Sequence, residues 1–304
     1  GRSVSSPADG AHQVREQHSA GYDFIKIHPG LGDEEFTAIA ETANELGMPF
    51  AGHVPVSVGL GGALASGMAS IDHLDGYMAA LMPRNYDASG GYGGFFDVLL
   101  ADDIDTDGTG DLAAATARAG TWIVPTETLV EQLINEVPAS ELRSRDEMQY
   151  VPEATIERWV AAKRQQQQER GYSPDVAAKA IALRRMLIRE LHDAGAGILL
   201  GSDAPQVFNV PGFSLHRELE LMVAAGLTPF EALQAGTLSV AQFLGLNTGV
   251  IEVGREADLV MLDSNPLEDI ASTRRIHGVM VRGRWYSAAD IEALLQRFRL
   301  GGRG

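Results

Sequence analysis

Apolar residues along the chain fall into short runs separated by stretches of helical spacing. The run "YDFIKIH" (22–28) suits a pleated, half-buried surface, and Pro29-Gly30 closes it, so it reads as a strand. Asp33 then stands as an N-cap. Phe36, Ile39, Ala40, Ala43 and Leu46 recur at helical spacing, and Gly47-Met48-Pro49 ends the helix. Further strands are predicted at "PFAGHV" (49–54), "ASIDHL" (69–74), "TWIVPT" (121–126) and "AGILLGSD" (196–203), with a short Ala/Gly-rich helix leading into the second of these. A long helical region over 153–194 breaks at Gly171-Tyr172-Ser173-Pro174, where Ser173 and Pro174 suit N-cap and N1 of its second half. Thr228, Pro229 and Glu231 spell a capping box that opens a later helix.

Apolar strands alternating with helices point to a parallel sheet. Titratable residues gather at or just past the strand ends: Lys26, His28, His53, His73, Glu127 and Asp203. In a closed β/α barrel those ends make one face, where active sites lie. A doubly wound open sheet is the competing architecture, but nothing here resembles its Gly-rich dinucleotide loop. The tail changes character, since 249–266 and 276–287 read as short strands with turns and suggest a small β subdomain. Residues 86–111, rich in Gly and Asp, read as a long excursion between strands, a lid or mobile segment.

Composition narrows the classes. With 24 Lys and Arg against 41 Asp and Glu, the formal net charge is −17, which repels nucleic acid and anionic membrane. There is no cysteine, so disulfides and thiolate metal sites are excluded. No apolar run is long enough to span a bilayer. The expectation is a soluble protein, cytoplasmic or exported, acting on a small molecule, with a homo-oligomer left open. The chain opens on Gly1 rather than Met, and its first residues are no signal peptide.

The candidate chemistry is metal ligation. His53, His73 and Asp203 stand at the ends of three separate predicted strands, and imidazole with carboxylate suits zinc, manganese, iron or cobalt. A lone strand histidine is more often a hydrogen-bonded core residue, so it is the three together that carry the reading. Lys26 sits in an apolar run. On its own it reads as a lysine that snorkels to the rim or pairs with a carboxylate.

The set "FIKIH", "AGHVP", "SIDHLDGY", "LLGSDAP", "LHRELELMVAAGLTPFEALQAGTLSVAQFLGL" and "GVIEVGREADLVMLDSNPLEDI" resembles the amidohydrolase superfamily, in its imidazolonepropionase- and prolidase-like branch. The match runs over about 20–287 and is most specific over 196–266. It implies a (β/α)8 TIM-like barrel of the metal-dependent hydrolase type, with a β-sandwich built from both chain ends. On that template residues 1–248 hold barrel strands 4–8, and 249–304 hold the C-terminal part of the sandwich and a terminal helix. The first three strands are expected upstream, together with a His-x-His pair that this chain lacks. His12 and His18 are six apart in a helical segment and are not taken as replacements.

The resemblance also implies roles. Lys26 becomes a carbamate ligand bridging two metals, His53 and His73 bind one of them, and Asp203 binds the other and carries a proton. One or two divalent ions, zinc foremost, fill the complete site. A lysine in apolar surroundings has some neutral, nucleophilic amine, as carbamate formation requires. The implied activity is hydrolysis of a C–N bond in an amide, cyclic amide or dipeptide-like substrate by metal-activated water. Alternatives are a catalytically silent barrel, or a lactonase or phosphotriesterase using the same centre. His28, Tyr77, Arg84 and Glu127 are candidate substrate contacts. His216 reads as structural or as a support to the site, and Asp103, Asp105 and Asp107 as a solvated acidic loop rather than a calcium loop.

Overall fold

A computed structural model describes residues 2–83 and 93–299. The described chain divides into two compact units: residues 1–125 with 182–198, and residues 126–181 with 199–304. The boundary expected at 248/249 falls inside the second of these.

The first unit is built from α1 (Pro7–Ser19), β1 (Ile25–Ile27), α2 (Asp33–Glu45), β2 (Phe50–Gly52), α3 (Gly59–Ala65), β3 (Ser70–Asp72), α4 (Tyr77–Ala80), α5 (Thr109–Ala119) and β4 (Trp122–Val124). The four strands form one parallel sheet in chain order, as alternating helices require. Ile25, Ile27, Phe50, Ile71 and Ile123 bury their side chains in it, and Phe36 of α2 meets Phe50 edge to face at 6.1 Å. Beside β4, Ile123 bridges in parallel to Ile198, so the strand expected over 196–203 is reduced to a single bridge. Gly197 makes that approach, because a side chain there would run into the Trp122 ring.

The order of caps differs in one place. Gly32, not Asp33, is the N-cap of α2, and its side-chain-free cap leaves Asp33, Glu34 and Glu35 in the first turn. Three carboxylates there complement the positive end of the helix dipole.

The second unit holds α6 (Glu127–Ile134), α7 (Ala139–Arg143), α8 (Glu153–Gln166) and the start of α9 (Pro174–Asp193), whose later turns belong to the first unit. After residue 198 it adds α10 (Phe213–Ala224), α11 (Pro229–Ala235) and α12 (Leu238–Leu244). An antiparallel sheet of β5 (Leu259–Leu262), β6 (Ile276–Val281) and β7 (Arg284–Ser287) and the helix α13 (Ala288–Gln296) complete it. The break between α8 and α9 falls where the sequence puts it, and Ser173 caps α9 by accepting from Val176 N–H at 3.1 Å. The capping box at Thr228 and Glu231 is formed in both directions. A core of Leu142, Met148, Ile156, Trp159, Val160, Phe208 and Val210 packs α7 and α8 against the loop that follows Asp203. No helix among the described residues is long and apolar enough to cross a membrane.

Candidate active site

The parallel register sets the chemistry of the first unit. Ile27 pairs with Gly52 and Gly52 with Ile71, so the next step along the three strands aligns His28, His53 and Asp72. The strand pattern buries Ile25 and Ile27 and turns Lys26 to the opposite, exposed face. That alternation explains a lysine inside an apolar run. Lys26 is not enclosed in apolar surroundings, as its side chain is half exposed and its ammonium forms an ion pair with the Asp72 carboxylate. Gly52 makes room for it, with φ at +122° and no side chain facing the Lys26 stem.

His53 follows β2 directly. Its Nδ1 lies 2.8 Å from Asp75 Oδ2, which also accepts weakly from Val54 N–H at 3.4 Å. A carboxylate on Nδ1 fixes the ring proton there and leaves Nε2 as the lone-pair nitrogen, the usual support of a metal-binding histidine. His73 lies beyond β3, and its ring centroid is 4.8 Å from that of His53. Burial first, then the charges of His53, Lys26 and Arg184, push the His73 imidazole down to about 2, so it is neutral and able to donate a lone pair. His28 also stacks with His53, at 5.8 Å, and burial with His53 and Lys26 lowers its basicity too.

The backbone at this point is unusual. His73 and Leu74 both have positive φ, at 63° and 58°, and so do Phe96 and Asp97 at 53° and 58°. Left-handed residues other than glycine cost about 1–2 kcal/mol each and concentrate where geometry serves a site. Phe96 lays its ring on His73 at 4.6 Å and touches Phe95 at 4.0 Å. Burial raises the Asp97 carboxyl to about 6, Asp75 adds to the rise, and Arg184 opposes it.

Asp203 belongs to the second unit, where it is exposed at φ 50° and accepts from Gln206 Nε2 at 3.1 Å. Its loop is pinned by buried polar groups. Asn209 Nδ2 donates to the Ser202 carbonyl at 2.7 Å, and Gln132 Nε2 donates to Asn209 Oδ1 at 2.6 Å. Glu127, also in this unit, is fully buried at the start of α6, where Glu218 accepts from the N–H groups of Glu127 and Thr128 at 2.9 and 2.7 Å. The Tyr77 hydroxyl is used inside the first unit, 2.6 Å from Thr116 Oγ1 in the interior. His216 meets Thr273 Oγ1 at 3.0 Å. Arg84, and residues 86–92 of the expected excursion, lie outside the described residues.

Asp72, Asp75, Phe96 and Arg184 were not assigned from sequence. The two aspartates flank His73 in "SIDHLDGY", which is the one signal that could have found them. Arg184 is hidden in an ordinary helical stretch.

Two imidazoles side by side, one of them oriented by a carboxylate, are suitable ligands for a divalent ion. Lys26 as an ammonium is not, since a carbamate requires it to leave Asp72. Among the described residues no three His, Asp or Glu side chains converge closely enough to hold an ion.

Comparison with known proteins gives the class. The model of the Amidohydrolase family matches residues 8–286, and the chain belongs to that family. Members generally use a divalent metal, and the relatives imply a TIM-barrel-like α/β fold. An imidazolonepropionase of Deinococcus deserti is 41% identical over 105 residues, 34% of this chain and 26% of that protein. An Aspergillus niger ochratoxinase is 40% identical over 81 residues, 25% of this chain and 16% of that protein. Among solved structures, a bottromycin amidohydrolase superposes with a TM-score of 0.70 at 27% identity, over 98% of this chain and 63% of the other. A Xaa-Pro dipeptidase shares the fold with a TM-score of 0.58 at 20% identity, over 94% of this chain and 59% of the other. The chain therefore spans less than two thirds of the length of these relatives.

Proposed function

We propose that the protein is a hydrolase of C–N bonds in a small molecule, an amide, cyclic amide or dipeptide-like compound, and that it works with a divalent metal, zinc foremost. The reading is carried by the His53–His73 pair, two rings 4.8 Å apart with Asp75 2.8 Å from His53 Nδ1, in a chain of the Amidohydrolase family. The relatives' names, an imidazolonepropionase, an amidohydrolase and a dipeptidase, fit that chemistry.

A divalent ion, when bound, lowers the pKa of water and polarises a carbonyl. His53 Nε2 and the His73 ring would supply nitrogen ligands, with Asp75 orienting the His53 ring through Nδ1. Lys26 would serve as a ligand in its carbamate form: released from Asp72 and deprotonated, its amine adds to the carbon of carbon dioxide and loses a second proton to solvent, leaving an anionic oxygen donor. Asp203 is assigned a ligand role and the proton transfer, taking a proton from the attacking water and passing it to the leaving nitrogen. His28, whose ring stacks on His53 at 5.8 Å, is assigned a substrate contact.

The test is a panel of cyclic amides, Xaa-Pro dipeptides and N-acyl amino acids beside lactones and phosphotriesters, run on the full-length protein with added Zn(II). Amide hydrolysis that disappears in His73→Asn and Asp203→Asn is expected. Turnover of the esters alone would replace this reading with that of a lactonase or phosphotriesterase.

A further inference from the structure

We infer that Arg184 is a positioning residue for His73: its buried guanidinium fork holds the His73 and Pro125 carbonyls together and so fixes the imidazole in its metal-binding pose. The inference rests on the ligand role of His53 and His73 proposed above.

The observations all lie within the first unit. Arg184 has no exposed surface, an expensive place for a charge that water would otherwise solvate. Its Nη1 donates to the His73 carbonyl at 2.8 Å and its Nη2 to the Pro125 carbonyl at 3.2 Å. These are main-chain atoms of two neighbouring strands just where their pairing stops. The β3–β4 ladder runs through Asp72 and Val124 and closes with His73 N–H donating to the Val124 carbonyl at 2.8 Å. The His73 carbonyl is the next acceptor in line, and Arg184 takes it in place of a strand partner.

The fork matters because of what the backbone does there. His73 and Leu74 turn left-handed at φ 63° and 58°, which neither side chain favours. A donor fixed on the His73 carbonyl holds that peptide plane, and with it the direction of the Cα–Cβ bond that aims the ring at His53. Two donors in one rigid plane hold two carbonyls at a fixed separation and angle, whereas a lysine's donors all turn about a single nitrogen. Phe96 lays its ring against the imidazole at 4.6 Å. The imidazole is thus held through its main chain by Arg184 and across its face by Phe96.

The experiment is titration of the full-length protein with Co(II), followed by its visible absorbance, alongside thermal unfolding. Arg184→Met is expected to weaken Co(II) binding about 10- to 100-fold, the usual cost of losing a group that orients a ligand. Arg184→Lys, which keeps the charge but loses the planar fork, is expected to fall between it and the wild type. Lys163→Met is the control, a buried lysine of the second unit that donates to Gln132 and Asn135. It lowers the thermal midpoint and leaves Co(II) affinity unchanged. Should Arg184→Met fail to fold, Arg184→Lys decides. Wild-type affinity in the Arg184 variants overturns the inference while the ligand reading stands. Equal Co(II) binding by wild type and the His53→Asn/His73→Asn variant sinks the ligand reading and this inference with it.

Discussion

At the scale of single residues, the candidate site depends on what surrounds each titratable group. His73 is neutral because it is buried beside other positive groups, and a neutral imidazole is what a cation needs. Lys26 is half exposed because strand alternation turns it away from the core, and Asp72 pairs with it. Gly52 is the small partner of that arrangement. A Cβ there would lie 2.7 Å from the Ile27 carbonyl oxygen and 2.8 Å from Lys26 Cδ, at a φ of +122° that L residues avoid. Gly52→Ala is therefore expected to cost about 1–3 kcal/mol, read as a lowered urea midpoint. A midpoint equal to that of the wild type would show that the strand end has room to spare. His53 and His73 stand out in the sequence as imidazoles at strand ends and Lys26 as a charge inside an apolar run, whose ligand role is implied by the family resemblance alone. Asp75 and Arg184 were not legible, because an aspartate in a turn and an arginine in a helix look ordinary until the fold brings them to a ring nitrogen or a carbonyl.

At the scale of elements, the sequence located the first four strands, the α8–α9 break and the Thr228 cap, since those follow from local periodicity and side-chain oxygens near helix starts. It overextended the strands, each only three residues long, because a barrel-like β/α unit needs just the few residues that reach a neighbour. It also made a strand of 196–203, where one bridge suffices to dock Ile198 beside Ile123. Lys163 of α8 shows how a buried charge can end a helix. Its Nζ donates to the carbonyls of Gln132 and Asn135 at the end of α6, at 2.5 and 2.9 Å, and to Asn135 Oδ1 at 2.9 Å. Burial first and Arg145 second lower it to about 8 from 10.5. Between those values the unfolded chain holds the proton more firmly than the folded one. Stability from this group therefore rises with pH across the window, by about 3 kcal/mol at most. Urea unfolding of wild type and Lys163→Met between pH 7.5 and 10.5 should show the wild type gaining relative to the variant. Parallel curves would remove Lys163 from the pH dependence.

At the scale of the whole molecule, the net charge of −17 decides how a metal test must be read. The acidic surface itself attracts divalent cations, so a bound ion must be traced to the imidazoles and not to the surface at large. The most direct measurement is equilibrium dialysis of the full-length protein against Zn(II) at physiological ionic strength, for wild type and for the His53→Asn/His73→Asn variant. The account requires at least one tightly held ion per chain in the wild type and one fewer in the variant, with unchanged circular dichroism. The same stoichiometry and affinity in both proteins would contradict it and take the metal away from His53 and His73.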